Sequence, residues 1–309
     1  MSKESFHPYK LPLEAGGERL GVLVRHVGSD GSTGWGDAAP LPGWSIETCD
    51  DVMRGLDVPS LRCGREAASI ALAGYASWPL IHERLPLNAL LEGTSMAMIE
   101  QAKRAALGGC HCFKIKTAGV PLDRLPGFLS EILAVCEPGS RFRLDPNRAW
   151  GFEEALSILN AVRDFPVEYI EEPLSDASLL CDFLKFSPLP IALDETLREL
   201  DPEDLVRFRG AAALVLKPTL MGSFQRAAAF AAAGAPLGMT SVVSSCFESG
   251  VGIYTLGRFA ASLPMLAAAG LDPYTRLSGD VLSQRLKFPE FHFDPTQPMP
   301  PVSEHACIL

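Results

Sequence analysis

From residue 85 onward the chain repeats one unit: a short apolar run, usually closed by a polar residue, then a segment with helical periodicity. The runs cover 86–90, 112–116, 142–145, 167–171, 191–194, 213–217 and 237–243, with an eighth near 268–271. Amphipathic segments at 95–107, 152–162, 202–208 and 223–233 lie between them. Strand, helix and strand with short links dictate parallel strands joined by right-handed crossovers. Seven or eight such strands suit a closed α/β barrel better than an open doubly wound sheet. After the first run, Leu91-Glu92-Gly93-Thr94-Ser95 lacks the glycine patterns that cradle phosphates, which argues against a nucleotide-binding sheet.

Residues 1–84 have another texture. A strand at 20–27 runs into the turn Gly28-Ser29-Asp30-Gly31-Ser32. A Gly/Pro-punctuated loop from Trp35 to Trp44 follows, then helices opening at Ser45-Ile46-Glu47-Thr48 and over 65–76. This reads as an α+β module of its own. Residues 272–309 lose the alternation and are expected to pack back against it. With 21% charged residues and a net charge of −10, the chain is a poor partner for nucleic acid or an anionic membrane surface. It can bind an anionic ligand only through a local cationic patch or a metal. Residues 1–10 lack the apolar core of a signal peptide, and the longest apolar stretch, 227–235, is too short to span a bilayer. A cytoplasmic location is expected. The eight cysteines are scattered, and Cys110-His111-Cys112 has no matching pair elsewhere, so they read as incidental thiols rather than a zinc site.

The run ends carry the chemistry. Lys116, Asp145, Glu171, Asp194, Lys217 and Ser244 follow one another at intervals of 29, 26, 23, 23 and 27 residues, one strand–helix unit each. In a barrel of parallel strands these ends converge on one mouth. Lys114 points to the same side as Lys116, because strand side chains alternate. Alone, a K-x-K is a solvated sheet face and Glu171 an ordinary loop carboxylate. Together, three carboxylates on one rim repel each other unless a hard divalent cation with oxygen ligands shares them: Mg2+, with Mn2+ as a substitute, or a structural Ca2+, although Ca2+ sites usually draw on one contiguous loop rather than three strands. A free lysine, near ~10.4, is too basic to act as a base at neutrality. A second ammonium and a nearby divalent cation both disfavour its charged form, towards the ~7–8 of tuned lysine bases. A metal that holds a substrate carboxylate under a lysine makes a site for removing an α-proton.

These residues resemble the enolase superfamily and, within it, the family of o-succinylbenzoate synthases, and the likeness runs nearly end to end. Gly34-Trp35-Gly36-Asp37-Ala38-Ala39-Pro40-Leu41-Pro42-Gly43 resembles the family's capping loop, and Pro86-Leu87-Asn88-Ala89-Leu90 its first barrel strand. Lys114-Ile115-Lys116 matches the K-x-K strand, and Arg143-Leu144-Asp145-Pro146-Asn147 the first metal strand. Ile170-Glu171-Glu172-Pro173 and Leu193-Asp194-Glu195 match the second and third metal strands, with Glu171 rather than Glu172 as ligand. Val215-Leu216-Lys217-Pro218 matches the opposing lysine, and Ser244-Ser245-Cys246-Phe247-Glu248-Ser249-Gly250 the seventh strand end.

The resemblance implies a (β/α)7β TIM-like barrel over 85–271 and an α+β capping domain from 1–84, with 272–309 packed back on it. It implies a Mg2+-dependent syn dehydration of 2-succinyl-6-hydroxy-2,4-cyclohexadiene-1-carboxylate to o-succinylbenzoate in menaquinone biosynthesis. Lys116 would take the proton and return it to the departing hydroxide, with Lys114 as its tuner. Asp145, Glu171 and Asp194 would hold the metal, and Lys217 would stabilise the anionic intermediate from the other face. Arg143, Asn147, Ser244, Ser245 and Gly270 would contact the substrate, though the two serines also read as caps for the next helix. Asp37 stands where the family has glutamate, and Asp272-Pro273 where it often has Asp-Thr, departures that bear on substrate fit. Two rivals share these residues: an N-acylamino acid racemase with Lys116 and Lys217 as paired bases, and a non-catalytic metal-stabilised barrel. Branches with a histidine base are disfavoured, since no histidine lies between His111 and His292. The oligomeric state is open.

Overall fold

A computed structural model of the chain describes residues 3–265 and 267–303. Residues 304–309, the end of the segment expected to pack back, and Cys307 among the thiols, lie outside the described residues. The N-terminal layer is an antiparallel sheet of β1 (Lys3–Pro12), β2 (Glu18–Val27) and β3 (Thr33–Ala38), in that order. Helix α1 (Cys49–Met53) begins where expected, because Thr48 and Asp51 form a reciprocal capping box. Helix α2 (Pro59–Leu72) starts earlier than the 65–76 read from periodicity. Pro59 supplies a preset φ at the first turn, where its missing N–H costs nothing.

This layer closes by backbone approach. A Cβ on Gly36 would lie 2.0 Å from the Gly64 carbonyl oxygen, and one on Gly34 2.1 Å from that of Ala68. Only hydrogen at these positions lets β3 lie flat on α2. Val22, Val24, Ala38, Val52, Leu61 and Ala68 fill the small core that results.

The chain then enters the barrel through β4 (Leu85–Pro86) and β5 (Ala89–Leu91), and continues with α3 (Ser95–Leu107), as expected from its amphipathic pattern. Next come β6 (Cys112–Lys116), α4 (Leu125–Val135), β7 (Arg141–Asp145), α5 (Phe152–Ala161), β8 (Val167–Glu171) and the single turn α6 (Leu180–Phe183). They are followed by β9 (Ile191–Leu193), β10 (Ala213–Leu216), α7 (Pro218–Met221), α8 (Phe224–Gly234), β11 (Thr240–Val243) and α9 (Gly250–Ala261). The amphipathic stretch Pro202–Phe208 is helical but of the tighter 3-10 form.

Strands β5 to β11 form one parallel sheet in sequence order. Parallel bridges Leu87–Ala269 and Ser244–Gly270 close the ring, so the eighth position is two residues of irregular backbone. Four main-chain hydrogen bonds of 2.8–3.0 Å hold it: Asn88 N to Ala269 O, Ala269 N to Pro86 O, Gly270 N to Val243 O and Ser245 N to Gly270 O. The segment after it returns to both layers. Leu277 bridges Leu13 at the end of β1, and β12 (His292–Phe293) pairs antiparallel with β4.

Alternation sorts each strand into two faces. Phe113, Ile115, Phe142, Leu144, Ile170, Leu193, Leu214 and Leu216 are buried in the main core. Tyr169, Ala192, Ala213, Val215 and Val242 form a separate cluster that plugs the barrel interior. The charged strand ends stand above that plug. No helix among the described residues is long and apolar enough to cross a membrane. Gly36→Ala should lower stability by about 1–3 kcal/mol, the usual cost of overpacking, read as a lower urea midpoint at unchanged m-value.

Candidate active site

Register places the charges. Lys114 pairs with Arg143 and Lys116 with Asp145 across β6 and β7, so these four inward side chains form two layers. In the upper layer Asp145 accepts from Lys116 Nζ at 2.6 Å, and Lys114 Nζ lies 2.8 Å from the same Oδ2. Lys114 Nζ also reaches Glu171 Oε1 at 2.6 Å. Lys217 donates to Asp194 and stands 4.0 Å from Glu171 Oε1. Three ammoniums and three carboxylates thus interleave around the mouth. Asp145 and Glu171 are almost wholly buried, whereas the Lys116 side chain keeps 27% of its surface.

The charges respond to burial and to each other. Burial pushes Asp145 up, but Lys114 and Lys116 outweigh it and hold the carboxyl well below its ordinary range. Glu171 goes the other way: burial and the Asp145 charge raise it to about 7 despite Lys114. Burial likewise raises Asp194 against the pull of Lys217. Burial pulls Lys114 down, yet Asp145, Glu171 and Asp194 lift it above the ordinary lysine value; Lys217 is raised as well, chiefly by Asp194 against its own burial. Lys114 is therefore a firmly held cation rather than one destabilised by its neighbour.

Among the described residues, no three carboxylate, histidine or cysteine donors are gathered closely enough to hold an ion. The lysines stand between the carboxylates and take their oxygens. The donor set nonetheless fits a hard divalent cation. It offers carboxylate oxygen from three adjacent strand ends, and Glu171 Oε2 is buried with no hydrogen-bond partner among the described residues.

Glu172 is the residue that sequence reasoning passed over. It is buried beside Glu171 with a left-handed φ of 40°, which turns its carboxylate sideways along the rim. Oε1 accepts the amides of Asp194 and Thr196 at 2.9 Å each, and Oε2 accepts from Thr196 Oγ1 and from Arg148. It thereby fixes the backbone that carries Asp194. Two consecutive glutamates give no sign of this division of labour; the left-handed backbone makes it.

The mouth opens into a cavity of about 540 Å3. Lys114, Lys116, Lys217, Asn147, Ser244, Ser245 and Gly270 line it. Asn147 Oδ1 accepts from Lys116 Nζ at 3.0 Å, and its own amide donates to Asp145. Ser244 belongs to the closing bridge and Ser245 Oγ is buried without a partner, while the helix cap that either serine was a candidate for falls to Ser249. Arg143 is the exception. Its guanidinium, 1% exposed, lies a layer lower, bound to Glu168, Asn88 Oδ1 and the Ala268 carbonyl, over the Tyr169 ring. It lies one pleat below Asp145, level with Lys114, but Glu168, Asn88 and the Ala268 carbonyl hold its guanidinium inside the barrel rather than at the cavity wall.

The N-terminal layer supplies walls as well, from the capping loop and the residue just past it. Leu41 and Trp44 line the cavity, with Lys217 Nζ 5.8 Å from the centre of a Trp44 ring. Asp37, shorter than the glutamate of the family pattern, is fully engaged: it accepts from Tyr9 Oη, and from Ser249 N and Oγ at 2.8 and 2.7 Å. Asp272 accepts the Leu90 amide at 2.8 Å, and the following Pro273 lines the cavity. Glu172→Ala should cost about 1–3 kcal/mol by stranding two buried amides and Arg148. Equilibrium urea unfolding measures it, and Glu172→Gln should recover part of the loss.

Comparisons with known proteins agree with this geometry. Residues 97–298 match the family described as enolase C-terminal domain-like. An o-succinylbenzoate synthase from Enterobacter sp. (strain 638) is 31% identical, over 85% of this chain and 88% of that one. A muconate lactonizing enzyme superposes with a TM-score of 0.87 at 16% identity, covering 99% of this chain and 98% of the other. An L-Ala-D/L-Glu epimerase from Bacillus subtilis does so with 0.81 at 19% identity, over 98% and 96%. At such identities the structural likenesses establish the fold alone. The sequence matches go further: the chain is an enzyme of the enolase superfamily and belongs to the family of the o-succinylbenzoate synthases.

Proposed function

We propose that the chain dehydrates 2-succinyl-6-hydroxy-2,4-cyclohexadiene-1-carboxylate to o-succinylbenzoate, a step of menaquinone biosynthesis. The observation that carries this reading is the sequence match to o-succinylbenzoate synthases over most of the chain, and Lys116 and Lys217 bordering one cavity, with buried carboxylates between them, fit it. Asp145, Glu171 and Asp194 would hold a divalent cation, Mg2+ with Mn2+ as substitute, which when bound supplies positive charge to the substrate carboxylate as the α-proton leaves.

Lys116 is the base in this scheme. It is the more exposed member of the K-x-K pair, and Asn147 and Asp145 orient its Nζ. It removes the proton α to the ring carboxylate, and the same Nζ then protonates the departing hydroxyl, so both events occur on one face. Proton transfer by a placed side chain is worth about 10²–10⁴ in rate. Lys217 faces the substrate from β10 as a fixed cation, with Trp44 against it. Lys114, paired with both Asp145 and Glu171, keeps those carboxylates in place. Ser245 Oγ, buried and unpaired at the cavity wall, is a free donor for the succinyl tail.

A second reading uses the same pair, with Lys116 and Lys217 alternating as bases in racemisation of an N-acylamino acid. The epimerase among the structural neighbours carries the same fold, and nothing in the placement of the two lysines separates the readings. Solvent exchange does. Dehydration turnover without α-deuterium exchange of N-succinylamino acids in D2O is the expected result; exchange with racemisation and no dehydration would sink the synthase reading. Lys116→Ala should lower kcat at least about 10³-fold while the fold survives. Chelation of divalent cations should abolish turnover, and added Mg2+ should restore it.

A further inference from the structure

We propose that Phe247 bounds the catalytic cavity on its tail side and sets the length of the substrate's acyl chain, and that Arg19 is the positioning residue that holds it there. The identity of the tail rests on the dehydration reading above; the clamp itself does not.

Phe247 stands where three voids meet. It lines the catalytic cavity and two neighbouring spaces between the layers, of about 640 and 620 Å3. Leu41 is shared by the catalytic cavity and the first of these, and Leu90 and Glu92 by the catalytic cavity and the second. One aromatic residue is thus common to every partition. Its backbone is held at a φ of +61°, a left-handed conformation that a bulky residue adopts only when its surroundings impose it.

Arg19 imposes it. Its Nε donates to the Phe247 carbonyl at 2.9 Å and its Nη2 to that of Cys246 at 3.2 Å. On the other side, Nη2 and Nη1 donate to the Ala39 and Pro40 carbonyls at 2.8 Å each. The side chain is almost completely buried, and every hydrogen bond it makes goes to a main-chain carbonyl. A planar fork spent in this way fixes the spacing between the loop after β3 and the loop after β11, which lysine could not reproduce. The next residue completes the seat, since the Glu248 carboxylate accepts from the Cys246 amide and from Thr219 Oγ1. With Phe247 fixed, the catalytic cavity has a fitted end. A fitted apolar end discriminates a single methylene by about 10–200-fold.

The test compares kcat/KM for the succinyl substrate with that for its glutaryl homologue, one methylene longer. The wild type should favour succinyl at least about tenfold. Phe247→Ala should reduce that ratio to about threefold or less, and Arg19→Met should do the same with the ring intact. The double variant should add little, because both act on one partition. Arg19→Lys, a milder change that keeps the charge, should also lose the preference; added guanidinium should restore it in Arg19→Ala. Hydrogen exchange of amides 244–249 gives a readout independent of turnover and should quicken in Arg19→Met. An unchanged succinyl-to-glutaryl ratio in Phe247→Ala and Arg19→Met overturns the proposal. If the wild type turns over neither substrate, the dehydration reading fails, and unchanged exchange in Arg19→Met then overturns the clamp.

Discussion

Like charges cannot be collected in a buried rim unless opposite charges are collected with them. Asp145, Glu171 and Asp194 are nearly sealed from water, and each is met by an ammonium from a neighbouring strand end or, for Glu171, from the pleat below one. Removing either sign alone would leave buried charge of the other, a penalty of several kcal/mol per group. The parallel ring makes the interleaving possible, since β7, β8 and β9 carry the carboxylates side by side and lysines from the flanking β6 and β10 reach in between them. Closure at Ala269–Gly270, the Glu172 brace and the overlying cap loop all keep that arrangement in register.

The same interleaving explains what a cation would change. Were Asp145, Glu171 and Asp194 to hold a cation as proposed, the ammoniums would have to give up hydrogen bonds to them. Lys116 has the most room to move, being the most exposed of the three. Charge balance thus ties the freedom of Lys116 to the state of the carboxylates.

Much of this was legible in the sequence, and for definable reasons. Strand period and unit spacing are one-dimensional properties, so the ring, its seven strands and the charged ends could be read directly. Whatever depends on left-handed backbone was hidden. Glu172 and Phe247 look like an extra carboxylate and a stray aromatic until φ values of 40° and 61° re-aim them. Arg143 reads as a cavity residue because a motif says which residues travel together but not which partners claim each side chain: Lys114, on the same level, reaches the cavity, and Arg143 turns to Glu168 and Asn88. Arg19 was silent for a third reason: its partners are carbonyls, which every residue has, 20 to 228 positions away for all but one.

Of the seven non-glycine residues with left-handed backbone among the described residues, four sit at the mouth: Asn147, Arg148, Glu172 and Phe247 all border the site or brace it. Each is a conformation the free chain avoids, so the rim gains least from being folded, whereas the glycine-seated cap sheet and the apolar plug gain most. On warming, the two should therefore part company. The catalytic mouth loosens while both layers still stand, and the enzyme falls silent before it unfolds.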